Sequence, residues 1–345
     1  MDMKGASTMN ERPWAASTEH VGFAWFAMVM GLCGLSLAWA RAADLLGAVA
    51  LQVSKGLGWL AGGVLLLLLW ATVWRCVYFA QAVLVDLRHP VRQVFVAAVP
   101  SSLVLLATVW VTHRGYSLWA DALWMLGASG LLLITVAVMW RWLQHGLSPE
   151  HFWQGMTPAV FIPVVGNVLP ALAGVTLGHP VWAAAQYGVA ALLWPVALVL
   201  VLVRIGVVGL WPARMLPTTF ITMAPPSVLA LSGQQLGVPE VMMHMLWGLA
   251  LFFSLVSLTM LRRCLQQPFG MPFWGMSFPL AASAALSVHL AVSQGMGQLA
   301  ALGWLLTVSG AIGVLLLATC RDGLQGRLLV PEPPVQLAAR SSEAP

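Results

Sequence analysis

Apolar runs of about twenty residues, broken by short polar, proline or glycine punctuation, follow one another along this chain. A membrane-crossing helix needs about 20 mostly apolar residues to bridge about 30 Å of hydrocarbon. Runs of that size fall at 23–40, 56–78, 91–112, 117–141, 157–177, 181–203, 215–234, 239–265, 272–292 and 298–320. They predict an all-α membrane protein with ten transmembrane helices. Short connections make consecutive helices antiparallel neighbours, giving five helical hairpins. Residues 1–20 and 321–345 read as extramembrane tails around one transmembrane domain over 21–320. The N-terminal stretch lacks the short apolar core and small-residue cleavage site of a signal peptide.

The runs are of two kinds. Mid-run prolines fall in the third (Pro100), fifth (Pro163, Pro170), seventh (Pro225, Pro226) and ninth (Pro279), and the first carries Gly31 and Gly34. Even runs are dominated by Leu and Val, as in Val64-Leu65-Leu66-Leu67-Leu68-Leu69, with Pro195 their one mid-run proline. Proline removes an N–H donor and collides with the carbonyl four residues back. In lipid a carbonyl freed this way is tolerable only where it faces protein or water. The odd helices are therefore expected to be kinked and internal, the even ones straight and lipid-facing. Five inner–outer hairpins make two concentric rings around a central pore, a weak internal repeat of pattern and not of residue identity.

Composition excludes a soluble fold: 60% of the residues are hydrophobic and 8% charged, against about 25% charged in soluble domains. The 18 tryptophans suit the membrane interface. With ten spans, 13 of the 16 Lys and Arg fall on the side of the N-terminus, and only Arg41, Lys55 and Arg114 on the other. Basic loops stay in the cytoplasm, so both termini are expected there. The bases sit singly or in pairs between apolar runs, not on one basic face, which argues against a nucleic-acid partner. Cys33, Cys76, Cys264 and Cys320 form no C-x-x-C pair and read as small residues in helices.

Candidate chemistry is thin. All 11 acids map to loops, tails or helix ends, which argues against a cation pump with a carboxylate relay and permits an anion path. The inner runs carry small or polar stripes at helical spacing: Pro163, Asn167, Pro170 and Gly174; Thr218, Thr222 and Pro225; Gly275, Phe278, Ala282 and Ala285. Such stripes are more often packing faces than channel walls. Phe278, bulky among Gly and Ala, projects into whatever its stripe faces, and an apolar ring can close a pore by excluding water. Arg88, His89 and Arg92 make a basic cluster at the cytoplasmic approach to the third helix, suited to attracting anions and equally required by the positive-inside rule. His145, Glu150 and His151 read as a solvated loop, with no metal site expected. His244 and His289 are the ionisable groups near the inner runs that can couple to protons. No nucleotide-binding loop, metalloprotease helix or serine elbow is present, and no nucleophile stands beside a base, so neither an enzyme nor a cofactor is expected.

Four stretches and one spacing, taken with their order, resemble the tellurite-resistance/dicarboxylate transporter family, which includes TehA-like proteins, the yeast malate permease and sulfite exporter, and the plant slow anion channels. They are Gly31-Leu32-Cys33-Gly34-Leu35-Ser36-Leu37-Ala38-Trp39; Arg88-His89-Pro90-Val91-Arg92 with Pro100; Pro158 with Pro163; Leu216-Pro217-Thr218 with Met223-Ala224-Pro225-Pro226; and Trp274-Gly275-Met276-Ser277-Phe278-Pro279-Leu280. The resemblance runs from about Gly22 to Cys320. It implies five hairpins around a central pore, kinks at Pro100, Pro163, Pro225 and Pro279, a gate at Phe278, and a homotrimer with one pore per protomer in a bacterial inner membrane. Pro170 and Pro195 depart from the pattern. The implied function is a channel or exporter for small inorganic or organic anions. A proton-coupled transporter of C4-dicarboxylate or sulfite, and a tellurite-resistance factor working through a partner protein, stay open as alternatives.

Overall fold

The computed structural model of the chain describes residues 18–144, 149–295 and 297–329, and these residues form helices and turns with no strand. Most of both expected tails lies outside the described residues. Ten apolar helical segments follow in order: α1 (Phe23–Arg41), α2 (Ala48–Tyr78), α3 (Arg92–Arg114), α4 (Leu118–Leu143), α5 (Pro158–Gly174), α6 (Pro180–Val208), α7 (Ala213–Gln235), α8 (Glu240–Leu265), α9 (Met271–Gln294) and α10 (Gln298–Leu324). Among the described residues, nine are long and apolar enough to cross a membrane, and α5 is a shorter apolar stretch. The chain is an all-α membrane protein.

The shortfall at α5 has a local cause. Its helix runs only from Phe161 to Gly166, a turn follows, and a second short helix occupies Ala171–Gly174. Pro170 stands immediately before that second piece, so the expected bend is a full interruption. The Pro163 carbonyl, near the break, accepts hydrogen bonds from Thr135 Oγ1 of α4 (2.6 Å) and from Asn167 Nδ2 (3.1 Å). Trp124 Nε1 of α4 donates to the Pro170 carbonyl at 3.0 Å. A broken backbone is tolerable at membrane depth when protein partners meet its polar groups in this way. Pro195, by contrast, lies inside a continuous helix from Pro180 to Val208.

Each odd span changes helix type along its length. α1 opens as a 3-10 helix over Phe23–Phe26 and becomes α-helical at Ala27. α3 changes from 3-10 (Arg92–Ala97) to α at Ala98, α5 from Pro158–Val160 to Phe161, α7 from Ala213–Met223 to Ala224, and α9 from Met271–Met276 to Ser277. In the last four a proline sits at the second or third α-helical residue: Pro100, Pro163, Pro225 or Pro279. That is where a missing N–H costs least, because the first-turn donors of an α-helix lack partners in any case. The even helices carry no such change. Four of them run longer than predicted and α8 one residue shorter, α2 starting at Ala48 with Ser54 absorbed: Ser54 Oγ donates to the Ser36 carbonyl of α1 (2.7 Å) and Ser36 Oγ to the Ser54 carbonyl (2.8 Å).

Burial alternates along the chain. Of an apolar 18-residue stretch in each helix, 94% is buried in α7 against 28% in α8, and 78% in α1 against 22% in α2. The α-helical parts of the odd spans contact one another in the closed order α1, α3, α5, α7, α9 and back to α1. Their 3-10 parts make the same five contacts in the same order. Each even helix packs on the odd partner of its own hairpin and leaves apolar side chains such as Leu66, Leu126, Leu192 and Leu317 exposed.

Indole N–H groups tie the layers together. Trp39 donates to Ser309 Oγ of α10 (3.0 Å), Trp274 to Thr319 Oγ1 (2.8 Å) and Trp304 to Ser283 Oγ (3.1 Å). These tryptophans, expected at the membrane interface, work instead between helices, where an unpaired N–H in apolar surroundings is costly.

Candidate functional site

A cavity of about 50 Å³ lies at the level where the odd spans change from 3-10 to α-helix. All five contribute to its wall: Ala27 and Met30 from α1, Phe95 from α3, residues 161–169 in part from α5, Ile221 to Val228 in part from α7, and Trp274, Gly275, Phe278 and Pro279 from α9. No acid or base is among the lining residues. The surface offered is almost wholly apolar, which admits an ion only if its water is shed or carried in with it.

Phe278 is half-buried and presents its ring to this space. It is the second residue of the α-helical part of α9, between Ser277 and Pro279, so the helix-type change fixes its position. Space beside the ring is provided by Gly34: a Cβ there would meet Phe278 Cδ2 and the Ala281 Cβ at 3.1 Å. At Gly31 a Cβ would lie 2.6 Å from the Ser277 Cβ and 2.1 Å from its Oγ. The two glycines thus belong to the α1–α9 seam and not to the cavity wall. α1 needs them for close approach.

Of the other predicted site residues, Pro225 and Pro279 line the cavity, whereas Pro100, Pro163 and Pro170 do not. Pro100 packs outward on α4. A Cβ at Gly127 would come within 2.7 Å of the Pro100 carbonyl oxygen, and one at Gly130 within 3.1 Å of the Pro100 Cβ. Three aromatic residues of the wall, Phe95, Phe161 and Trp274, were missed. Each stands two to five residues before the proline of its span, a recurrence that stripes of small and polar residues do not reveal.

The basic cluster is only partly available. Asp86, buried on the short helix Ala80–Arg88, is ion-paired with Arg75 (2.7 Å) and Arg92 (3.1 Å). Arg75 Nε also donates to the Glu19 carbonyl at 2.7 Å, which ties the segment before α1 to this pair. His89 Nδ1 accepts from the backbone N–H of Val91 (3.1 Å) and Arg92 (3.3 Å) and so shapes the turn. Arg88 is exposed. Arg141 donates to the Leu87 carbonyl (2.8 Å), and Arg204 to the carbonyls of Trp153 and Gly209 with its guanidinium over the Trp211 ring. Much of the arginine excess at this end is therefore structural.

No group of three His, Cys, Asp or Glu is arranged to hold a metal among the described residues. His145, of the loop cluster, lies outside them. The four cysteines are free, Cys33 and Cys264 buried and Cys76 and Cys320 exposed.

Against known proteins, the family model described as voltage-dependent anion channel, SLAC1, matches residues 20–320. An uncharacterized transporter of Methanocaldococcus jannaschii is 27% identical over 292 residues, covering 77% of this chain and 82% of the relative. The tellurite resistance protein TehA homolog of Haemophilus influenzae is 26% identical, with 79% and 83% covered. The S-type anion channel SLAH2 of Arabidopsis thaliana is 23% identical, with 76% of this chain and 51% of the plant protein covered.

Proposed function

Because the chain belongs to the SLAC1 family of voltage-dependent anion channels, we propose that it is a membrane channel or exporter that passes small anions along the axis enclosed by its five odd spans, with the Phe278 ring as gate. The observation that carries this reading is the cavity to which all five odd spans contribute and which Phe278 helps to line. An apolar constriction resists ion passage because it does not replace the hydration shell. Moving the ring aside widens the space without a covalent step. A lining without carboxylates leaves anions unopposed. In this reading the 3-10 ends face the bacterial cytoplasm, both termini lie there, and the protein assembles as a homotrimer with one conduit per protomer.

The test is Phe278→Ala in liposomes or oocytes. Anion conductance is expected to rise at least about tenfold, since an apolar barrier of about 1.4 kcal/mol already accounts for that factor. No increase defeats the gate assignment. Reversal potentials in chloride, nitrate, sulfite and malate then rank the substrates.

One observation favours a second reading, proton-coupled transport of C4-dicarboxylate or sulfite: His289 is partly exposed on α9. Uphill anion uptake driven by a pH gradient supports that reading, and purely downhill flux excludes it.

A further inference from the structure

Resting on the anion path argued above, we propose that Arg41 and His289 form a second anion-binding station at the end of the conduit opposite the Phe278 cavity, for small inorganic anions and carboxylates. The argument begins with helical register. Met30 of α1 and Phe278 of α9 both line the cavity. Arg41 and His289 each stand eleven residues further along, within the continuous helices Ala27–Arg41 and Ser277–Gln294. Eleven residues complete three turns plus about 20° and rise about 16 Å. Both side chains therefore return to the cavity-facing side of their helices, three turns farther on. Between them the stripes hold Gly34 and Leu37 on α1 and Ala282 and Ala285 on α9, with no charge.

The two helices are in close contact, as the Gly34–Phe278–Ala281 seam shows, so their ends are neighbours. Arg41, in the last turn of Ala27–Arg41, and His289, near the end of Ser277–Gln294, thus come to the same end as Glu240 at the start of α8. Glu240 also accepts a hydrogen bond from Gln294 Nε2. Both Arg41 and His289 are partly exposed.

Unlike four arginines at the opposite end, Arg41 has no protein partner among the described residues. Arg75, Arg92, Arg141 and Arg204 all bond to carbonyls or to Asp86. Among the described residues no hydrogen bond or ion pair engages Arg41, and Asp44, three residues on, is exposed and does not pair with it. A cation in the last turn of a helix ordinarily compensates the helix dipole. At this end the carbonyls of Ala38 and Trp39 already accept from the Ala42 N–H. A guanidinium fork with unused donors, beside an imidazole, fits a planar oxyanion or a carboxylate.

The experiment has two arms. In the first, Phe278→Ala is compared with Phe278→Ala/Arg41→Gln in planar bilayers. Removing the charge is expected to lower nitrate and chloride conductance about threefold at 10 mM salt. The effect should fade at 1 M, where the screening length falls from about 30 Å to about 3 Å. In the second, the detergent-purified wild-type chain is melted in nitrate and in bulky gluconate at equal ionic strength. A higher midpoint in nitrate is expected, lost in Arg41→Gln and reduced in His289→Gln. If Phe278→Ala conducts but Arg41→Gln changes neither its low-salt conductance nor the nitrate midpoint, the station is overturned while the conduction reading stands. If Phe278→Ala passes no anion but Arg41→Gln abolishes the nitrate shift, the station stands and the conduction reading falls.

Discussion

α9 and α10 belong to one hairpin, and both are apolar enough to cross a membrane, yet they solve different problems. α9 is 67% buried over its apolar 18-residue stretch, opens as a 3-10 helix and carries Pro279 and a row of alanines. α10 is 28% buried, continuous from Gln298 to Leu324, and its glycines Gly303, Gly310 and Gly313 would have nothing within 4 Å of an added Cβ. In α1, packed on the other side of α9, the same residue type is sterically required at Gly31 and Gly34. Mean hydropathy separates the two classes incompletely, since inner α3 is more apolar than outer α2 and α8. The change of helix type separates them well, whereas tight glycines occur in both: a Cβ at Gly127 of outer α4 would meet the Pro100 carbonyl oxygen at 2.7 Å, and one at Gly58 of outer α2 the Val109 Cγ1 at 2.8 Å.

That contrast can be attacked in order of expected effect. Asp86→Ala leaves Arg75 buried without its carboxylate where outer α2 meets inner α3. It should cost about 3–5 kcal/mol, read as loss of folded protein on thermal melting in detergent. Gly31→Val forces a branched side chain into the space held by Ser277 and should cost about 3 kcal/mol, while the same change at Gly313 should leave the melting midpoint within about 2 °C. Ser309→Ala, which removes the partner of the Trp39 N–H, is expected to cost about 0.6 kcal/mol, the usual size of a hydrogen bond between membrane helices. Gly310→Ala should change stability by less than about 0.5 kcal/mol in either direction. Equal losses for Gly31→Val and Gly313→Val would erase the distinction.

Much of this architecture was legible in the chain. The division into odd and even spans followed from Pro100, Pro163, Pro225 and Pro279 because a ring on the backbone nitrogen constrains any helix that contains it. The change of helix type was not legible: a proline six to ten residues into an apolar run does not announce it. The interruption of α5 had its cues in Asn167 and Pro170, but the bonds that make it tolerable come from Thr135 and Trp124 of another span. The partial neutralisation of Arg92 depends on Asp86 being buried, which no local pattern announces. Phe278 stood out as a bulky ring in a small-residue stripe, whereas Phe95, Phe161 and Trp274 were hidden among many aromatics.

The 3-10 openings also set length. A 3-10 helix rises about 2.0 Å per residue and an α-helix about 1.5 Å. The 6 and 18 residues of the two parts of α9 thus reach about 39 Å, and the 27 of α10 about 40 Å. In α7 and α8, 11 plus 12 residues reach about 40 Å beside the 26 residues and about 39 Å of their partner. Stretching the opening turns lets the shorter member of each of these hairpins match the full height of its neighbour, so both ends meet the same two water boundaries with three fewer residues on the inside.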